Sequence, residues 1–398
     1  MTPRDDQGTM SDALRRARTR SVRHDDGEGA AWPVVQPIVT STAYATRSPD
    51  PMRHRQQRGE PTYNRDHFPN ALQLERLVAD LECAEHGYAT ASGMAAISLV
   101  ALTLLSHGDH LVLGSGGYSD TEEFLAHELV RFGITASLVD VRDLDAVRAA
   151  IRPETGMIFA ETISNPGIVL ADIAALAGIA RERSIPLVID NTLPTPVLCR
   201  PIEHGADIVV HSATKFLGGH HDLSAGVVVC SEAYMRRIRR VGYLLGAVPG
   251  AHDAALAVRG IRTLVPRMTW ISETARKVAT FLAGRPEIAA VRYPGAGDDQ
   301  QAELAARLLP DGQGGIMVVE LAGPDGDARA AALIERLRLI PYVSSLGGEI
   351  TTVCYPPRLL AGDDPDEGGR GNALRFSIGL EDPEDLIHDL GQALDGLR

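Results

Sequence analysis

The chain reads as an α/β protein, a mostly parallel sheet covered on both faces and followed by a smaller C-terminal α+β domain. Three observations predict this. From about residue 70 to 230, short Val- and Ile-rich runs alternate with stretches whose apolar residues recur every three or four positions. Over Val241 to Met268 the pattern becomes long helix, and GGIMVVEL, beginning at Gly314, opens a second set of strand and helix signals.

Each element has its own reason. ALQLERLVADLECAEHG (Ala71 to Gly87) carries a helical stripe ending at glycine, and MAAISLVALTLLSHGD (Met94 to Asp109) is apolar nearly all round, hence a buried helix. HLVLG, ASLVDV, MIFAE, PLVIDN, DIVVHS and AGVVVC are strands, separated by helices such as ADIAALAGIARERS. PGAGDDQQ and AGDDPDEGGRGN are surface loops. The expected divisions are an arm over 1–62 that contacts a neighbouring subunit, an α/β domain over 63–250 and an α+β domain over 251–398.

Composition narrows the function. With 398 residues, 44% of them apolar, the chain can bury a large core. Carboxylates outnumber Lys and Arg by 52 to 39, and a net charge of -13 argues against nucleic acid or an anionic membrane as partner. The charged N-terminal stretch MTPRDDQGTMSDALRRARTRSVRHDD lacks the apolar core of a secretion signal, and no run approaches about 18 apolar residues, so a cytoplasmic protein is expected. Cys83, Cys199, Cys230 and Cys354 lie far apart, which predicts neither disulfides nor a cysteine metal site. His220 and His221 are adjacent and point apart, so no metal is expected there. GSGGYS lacks the spacing of a dinucleotide loop.

In open parallel sheets, ligands gather at the carboxyl ends of strands. Glu161 and Asn165 follow MIFA, Asp190 follows PLVI, and Ser212, Thr214 and Lys215 follow DIVVH. Ser92, Gly93 and Met94 precede a helix whose first N–H groups favour a phosphate. A partly desolvated lysine is a nucleophilic amine able to form a Schiff base. Together with a strand-end aspartate for a ring nitrogen and a phosphate cradle, it makes the set of parts that pyridoxal phosphate requires. Each part alone also has a structural reading: S-x-T-K recurs by chance, and a strand-end Asp is more often a turn or helix cap.

The order and spacing of eight blocks add a resemblance. YNR (Tyr63 to Arg65), ASGMAAI, ETISNP, VIDNTLPTP, GADIVVHSATKFLGGHHD, VRGIRTL, SSLGG and LRFSIGLED follow one another as in the Cys/Met-metabolism family of pyridoxal-phosphate enzymes. That family includes cystathionine γ-synthase, cystathionine lyases, methionine γ-lyase and O-acetylhomoserine sulfhydrylases, and the likeness runs from about Val34 to the C-terminus.

The resemblance implies a fold type I, aspartate aminotransferase-like architecture. It makes Lys215 the Schiff-base lysine, Asp190 the partner of the pyridinium nitrogen, and Tyr118 the residue that stacks on the ring and helps in proton transfer. Ser92, Gly93, Met94, Ser212 and Thr214 would bind the phosphate, with Asn165 beside the cofactor. Tyr63 and Arg65 would reach the phosphate of the neighbouring subunit in a homotetramer, a dimer of dimers. Arg375 would grip the substrate carboxylate, with Asn165 and Ser345 nearby. The implied reaction is elimination or replacement at Cγ or Cβ of a small amino-acid substrate through aldimine and quinonoid intermediates. Cystathionine γ-synthase or O-acyl-homoserine sulfhydrylase activity is the alternative.

Four departures from the family pattern point to a specialised, non-cystathionine substrate. Ser344 stands where cystathionine-handling members commonly place glutamate, and Asp120 where methionine γ-lyases have cysteine. FPN (Phe68 to Asn70) and EITTVCYPP replace the usual loop residues, both expected around the substrate. Asp120 is expected to bind a polar or cationic substrate end.

Overall fold

The computed structural model describes residues 12–22, 33–47, 50–57, 60–66, 68–296, 299–356 and 372–397. Its larger sheet contains β1 (His86–Thr90), β2 (His110–Gly114), β3 (Thr135–Val139), β4 (Thr155–Glu161), β5 (Leu187–Asp190), β6 (Ile208–Ser212) and β7 (Gly226–Cys230). They are arranged in the order β1-β7-β6-β5-β4-β2-β3. All neighbours from β3 through β6 are parallel, whereas β7 runs antiparallel to both β6 and β1.

Leu187, Val188 and Ile189 of β5 are fully buried, as are Ile208 and Val209 of β6. Such strands are apolar along their whole length because helices cover both faces. Helices Gly93–Leu104 and Glu232–Leu245 pack Ile97, Val100, Met235 and Ile238 against one face. Helices Pro69–Glu82 and Ile173–Glu182 pack Leu74, Val78, Leu176 and Ile179 against the other. Each buried side chain of this size contributes about 1.5–3 kcal/mol relative to an exposed one.

A second, antiparallel sheet of β8 (Ile288–Arg292), β9 (Ile316–Leu321), β10 (Thr352–Cys354) and β11 (Ala373–Ser377) has the order β10-β11-β9-β8. Helix Leu264–Ala283 packs on β8 and β9 and also on helix Thr195–Leu198, so it joins the two parts of the molecule.

Several local expectations are corrected. The helix expected from Ala71 to Gly87 ends at Glu82, because Cys83 turns left-handed with φ 59 and its N–H bonds back to Asp80. Gly87 instead lies in β1, where a Cβ would come within 2.3 Å of the Glu75 carbonyl oxygen. The long helix expected over Val241 to Met268 is broken into Glu232–Leu245, Ala251–Ile261 and Leu264–Ala283. Gly246, with φ 73, closes the first, and the Pro249-Gly250 pair that follows keeps it from continuing.

Helix Asp12–Val22 packs on helices Pro69–Glu82 and Leu264–Ala283 of its own chain, burying Leu14 and Ala17. Residues 33–40 form neither helix nor strand and expose Val34, Val35 and Ile38. Asn70 does not face a substrate loop: buried at the start of helix Pro69–Glu82, it accepts from Val39 N–H and donates to the Pro37 carbonyl. Most of AGDDPDEGGRGN lies outside the described residues. Among the described residues no helix is long and apolar enough to cross a membrane, and all four cysteines are free thiols.

Candidate active site

Strands β4, β5 and β6 end side by side, with Glu161 and Asp190 as direct register partners on adjacent parallel strands. Their loops and the N-terminus of helix Gly93–Leu104 enclose a cavity of about 230 Å³. The cavity brings together Ser92, Gly93, Met94, Tyr118, Asn165, Asp190, Ser212, Thr214, Lys215, Ser345 and Arg375, all singled out in the sequence. Glu161, Thr192 and Ser344 line it as well.

Lys215 occupies the turn after β6. Lys215 N–H bonds to the Ser212 carbonyl, and Gly219 N–H closes the turn on the Lys215 carbonyl at 2.8 Å. Arg267, buried, donates to the Phe216, Leu217 and Gly260 carbonyls and so fixes the backbone that follows the lysine. Gly347 presses against the same turn: its φ is +81 and a Cβ would stand 2.7 Å from Phe216 N. Burial, and secondarily the Arg375 charge, lowers the Lys215 pKa and makes a neutral amine more accessible. Lys215 Nζ lies 3.2 Å from Ser345 Oγ.

Asp190 accepts from Thr192 N–H at 2.9 Å, while Thr192 Oγ1 accepts from Ser212 N–H at 2.8 Å, tying the ends of β5 and β6. Burial raises the Asp190 pKa; the Thr192 bonds and the His211 charge oppose it. Behind the sheet His211 Nε2 and Glu82 Oε1 pair at 2.7 Å, and Asn191 donates to the same carboxylate oxygen. Glu161 was visible in the sequence only as a strand-end residue. Here its Oε1 accepts from Tyr118 N–H at 2.7 Å and its Oε2 from Asn165 N–H at 2.8 Å. One carboxylate therefore holds two site loops.

At the other end of the cavity, Ser92 caps helix Gly93–Leu104 by accepting from Ala95 N–H at 3.1 Å. The N–H groups of Gly93 and Met94 open the first helical turn and have no intrahelical acceptor. Gly93 meets Ser212 so closely that a Cβ would be 2.7 Å from the serine Cβ. Arg375, only 4% exposed, donates to Asn165 Oδ1 at 3.0 Å and to the Ser345 carbonyl at 3.3 Å. Among the described residues no carboxylate pairs with it, and its Nε lacks a partner.

Tyr118 is on the cavity wall. Asp120 is not: it is exposed and takes the Tyr118 hydroxyl on Oδ2 at 2.6 Å. Burial, then the bond to Asp120, pushes the phenol up to about 12. Tyr63 and Arg65 lie away from this chain's cavity; the Arg65 guanidinium sits 4.5 Å over the Tyr243 ring. His220 bonds the Gly218 carbonyl, and among the described residues no cluster of three metal-binding side chains forms.

A desolvated amine, a buried carboxylate and a hydroxyl-flanked helix N-terminus, closed by a glycine that admits no side chain, fit pyridoxal phosphate. Lys215 would bind its carbonyl carbon, Asp190 its ring nitrogen, and the Gly93 corner its phosphate.

Comparison with known proteins agrees with this fit. The sequence pattern of the family described as Cys/Met metabolism PLP-dependent enzymes matches residues 18–395. The chain is 40% identical over 387 residues to L-methionine gamma-lyase of Pseudomonas putida, covering 94% of this chain and 96% of that protein. It is 38% identical over 341 residues to cystathionine gamma-lyase of Bacillus subtilis, covering 84% and 89%. Among solved structures, metB from Corynebacterium glutamicum superposes with a TM-score of 0.88 at 34% identity, over 98% of this chain and 99% of that one. A putative O-acetylhomoserine (thiol)-lyase from Campylobacter jejuni, which carries N′-pyridoxyl-lysine-5′-monophosphate, superposes with a TM-score of 0.85 at 27% identity, over 95% and 99%.

Proposed function

Because the chain belongs to the Cys/Met-metabolism family of PLP-dependent enzymes, we propose that it eliminates a substituent from Cγ or Cβ of a small amino acid. The carrying observation is the bridge at Ser345, whose Oγ meets Lys215 Nζ while its carbonyl holds Arg375. A carboxylate seated in the planar fork of Arg375 places its α-carbon toward the lysine. When bound, pyridoxal phosphate supplies an electron sink for bonds broken at Cα. Lys215, held deprotonated more readily by burial, takes the Cα proton on Nζ. Asp190 would hold the proton of the ring nitrogen, Tyr118 lines the same cavity, and Asn165 holds Arg375 in line.

Ser344 on the cavity wall offers no charge to a distal amino group, which supports a substrate other than cystathionine. Replacement on an activated homoserine is the second reading, favoured by the likeness to the O-acetylhomoserine (thiol)-lyase structure. The four free cysteines suit a reducing cytoplasm. A homotetramer built from dimers is part of the same reading.

The test is a panel of L-methionine, L-cystathionine, L-homocysteine and O-acetyl- and O-succinyl-homoserine, scored for 2-oxo acid with and without added thiol. Elimination releases oxo acid without thiol; replacement needs the thiol and yields a thioether. Lys215→Ala is expected to abolish turnover and the visible absorbance of the lysine-bound cofactor, and retention of both would refute the assignment.

A further inference from the structure

Behind the strand ends lies a buried cluster that no step of the proposed reaction uses. Glu82, the last residue of helix Pro69–Glu82, accepts from His211 Nε2 and from Asn191 Nδ2 on one oxygen, both at 2.7 Å. Asn191 in turn accepts from the Thr162 hydroxyl at 2.8 Å and gives its second N–H to the Cys199 carbonyl. Glu82, Thr162, Asn191 and His211 are all closed to solvent. Each of the last three is the chain neighbour of a cavity residue, Glu161, Asp190 and Ser212 in turn. Because side chains alternate along a strand, the cavity set and the hidden set share the same strand ends. Two short donors on one oxygen mark an ionised carboxylate. It stands at the negative end of its helix, away from water, so a positive partner has to balance it. His211 is in contact with it. Arg200, the other cation near it, is taken up by Glu203, and burial holds Cys199 beside it as a thiol.

Asp190 registers with Val210, the residue before His211, and the His211 charge favours the Asp190 carboxylate against burial. Resting on the proposed function, we infer that Glu82 holds a proton on His211, and that this hidden pair keeps Asp190 ionised so that a proton stays on the ring nitrogen of bound pyridoxal phosphate. Both are positioning residues that act through Asp190 and touch neither cofactor nor substrate. The other charged groups facing Asp190 are Glu161 on β4, which opposes a second buried anion, and Lys215 and Arg375 on the cavity wall. A ring nitrogen that keeps its proton draws electrons from Cα, whereas one that has given it to Asp190 is a weaker sink.

The test uses two variants. His211→Gln carries an amide N–H that reaches Glu82 as Nε2 does, but no charge; in Glu82→Gln/His211→Gln a neutral amide pair replaces the buried ions. Each is loaded with pyridoxal phosphate labelled with nitrogen-15 in the ring, and the ring-nitrogen resonance is read by solid-state NMR at neutral pH. Wild-type enzyme is expected at the pyridinium position and both variants nearer the pyridine position, the proton balance moving about tenfold toward Asp190 for each pKa unit that Asp190 gains. The kcat should fall with it at unchanged KM, since Arg375 is not touched. A merely structural role predicts otherwise. His211→Gln would then lose stability by leaving the Glu82 charge unbalanced, the double variant would regain it, and the resonance would stay at the pyridinium position throughout. A pyridinium signal in either folded variant overturns the inference, and if His211→Gln does not fold, the double variant decides alone. Wild-type protein that forms no visible lysine-bound band with pyridoxal phosphate would instead refute the proposed function, and the inference with it.

Discussion

Glu161 shows how much one side chain organises. Its two oxygens hold the loop of Tyr118 and the loop of Asn165, and through Asn165 the carboxylate-binding Arg375. Burial, then the neighbouring Asp190, pushes its carboxyl up to about 8 from the ordinary 4.5. A carboxyl whose pKa is raised by folding stabilises the fold fully below its unfolded pKa, and that stability is lost as pH rises through the folded value. The cofactor-free protein is therefore expected to melt at falling temperature between pH 4.5 and about 8, with Asp190 adding in the same direction. Glu161→Gln should flatten this slope in a pH series of calorimetric scans. Because an amide accepts on one atom only, it should also free one loop and cut turnover by about tenfold or more. An unchanged slope would mean that Glu161 does not take up the proton.

At the scale of elements, the turn after β6 carries the amine and depends on residues remote in sequence. Arg267, at the start of helix Leu264–Ala283, satisfies three carbonyls around that turn, and burial lowers its pKa to about 10. Arg267→Met takes the guanidinium donor from the Phe216 and Leu217 carbonyls and is expected to cost about 3 kcal/mol in a denaturant titration. It should also slow reaction of the Lys215 amine with pyridoxal phosphate, whereas a loss of stability alone would leave that rate untouched.

This division marks what was legible in the sequence. Lys215, Asp190 and the Gly93 corner follow from strand ends and a helix start, because local pattern places them. Arg267 and Glu161 do not, since hydrogen bonding across the fold, not spacing, gives them their partners. The breaks at Cys83 and Gly246 were missed for a related reason: apolar periodicity runs on through a left-handed cap that only the backbone reveals.

At the scale of the whole molecule, Tyr63 and Arg65 raise the question of whose site they serve. Tyr63 is exposed, and Arg65 rests on Tyr243, donating to its hydroxyl at 3.2 Å, outside the cavity of its own chain. Val34, Val35, Ile38 and Leu244 expose apolar surface. If two copies join so that Arg65 of one completes the cavity of the other, Lys215→Ala and Arg65→Ala variants carry complementary defects. A mixed dimer then contains one cavity with both changes and one with neither. Random pairing makes about half of the dimers mixed, so co-expression in equal amounts should restore about a quarter of the wild-type rate although each variant alone is nearly inactive. If Arg65 served its own chain, every cavity in the mixture would carry exactly one of the two defects, and activity would not exceed the average of the separate variants. The measurement is the rate per subunit of the co-expressed, purified mixture, and a result at that average would refute the shared site.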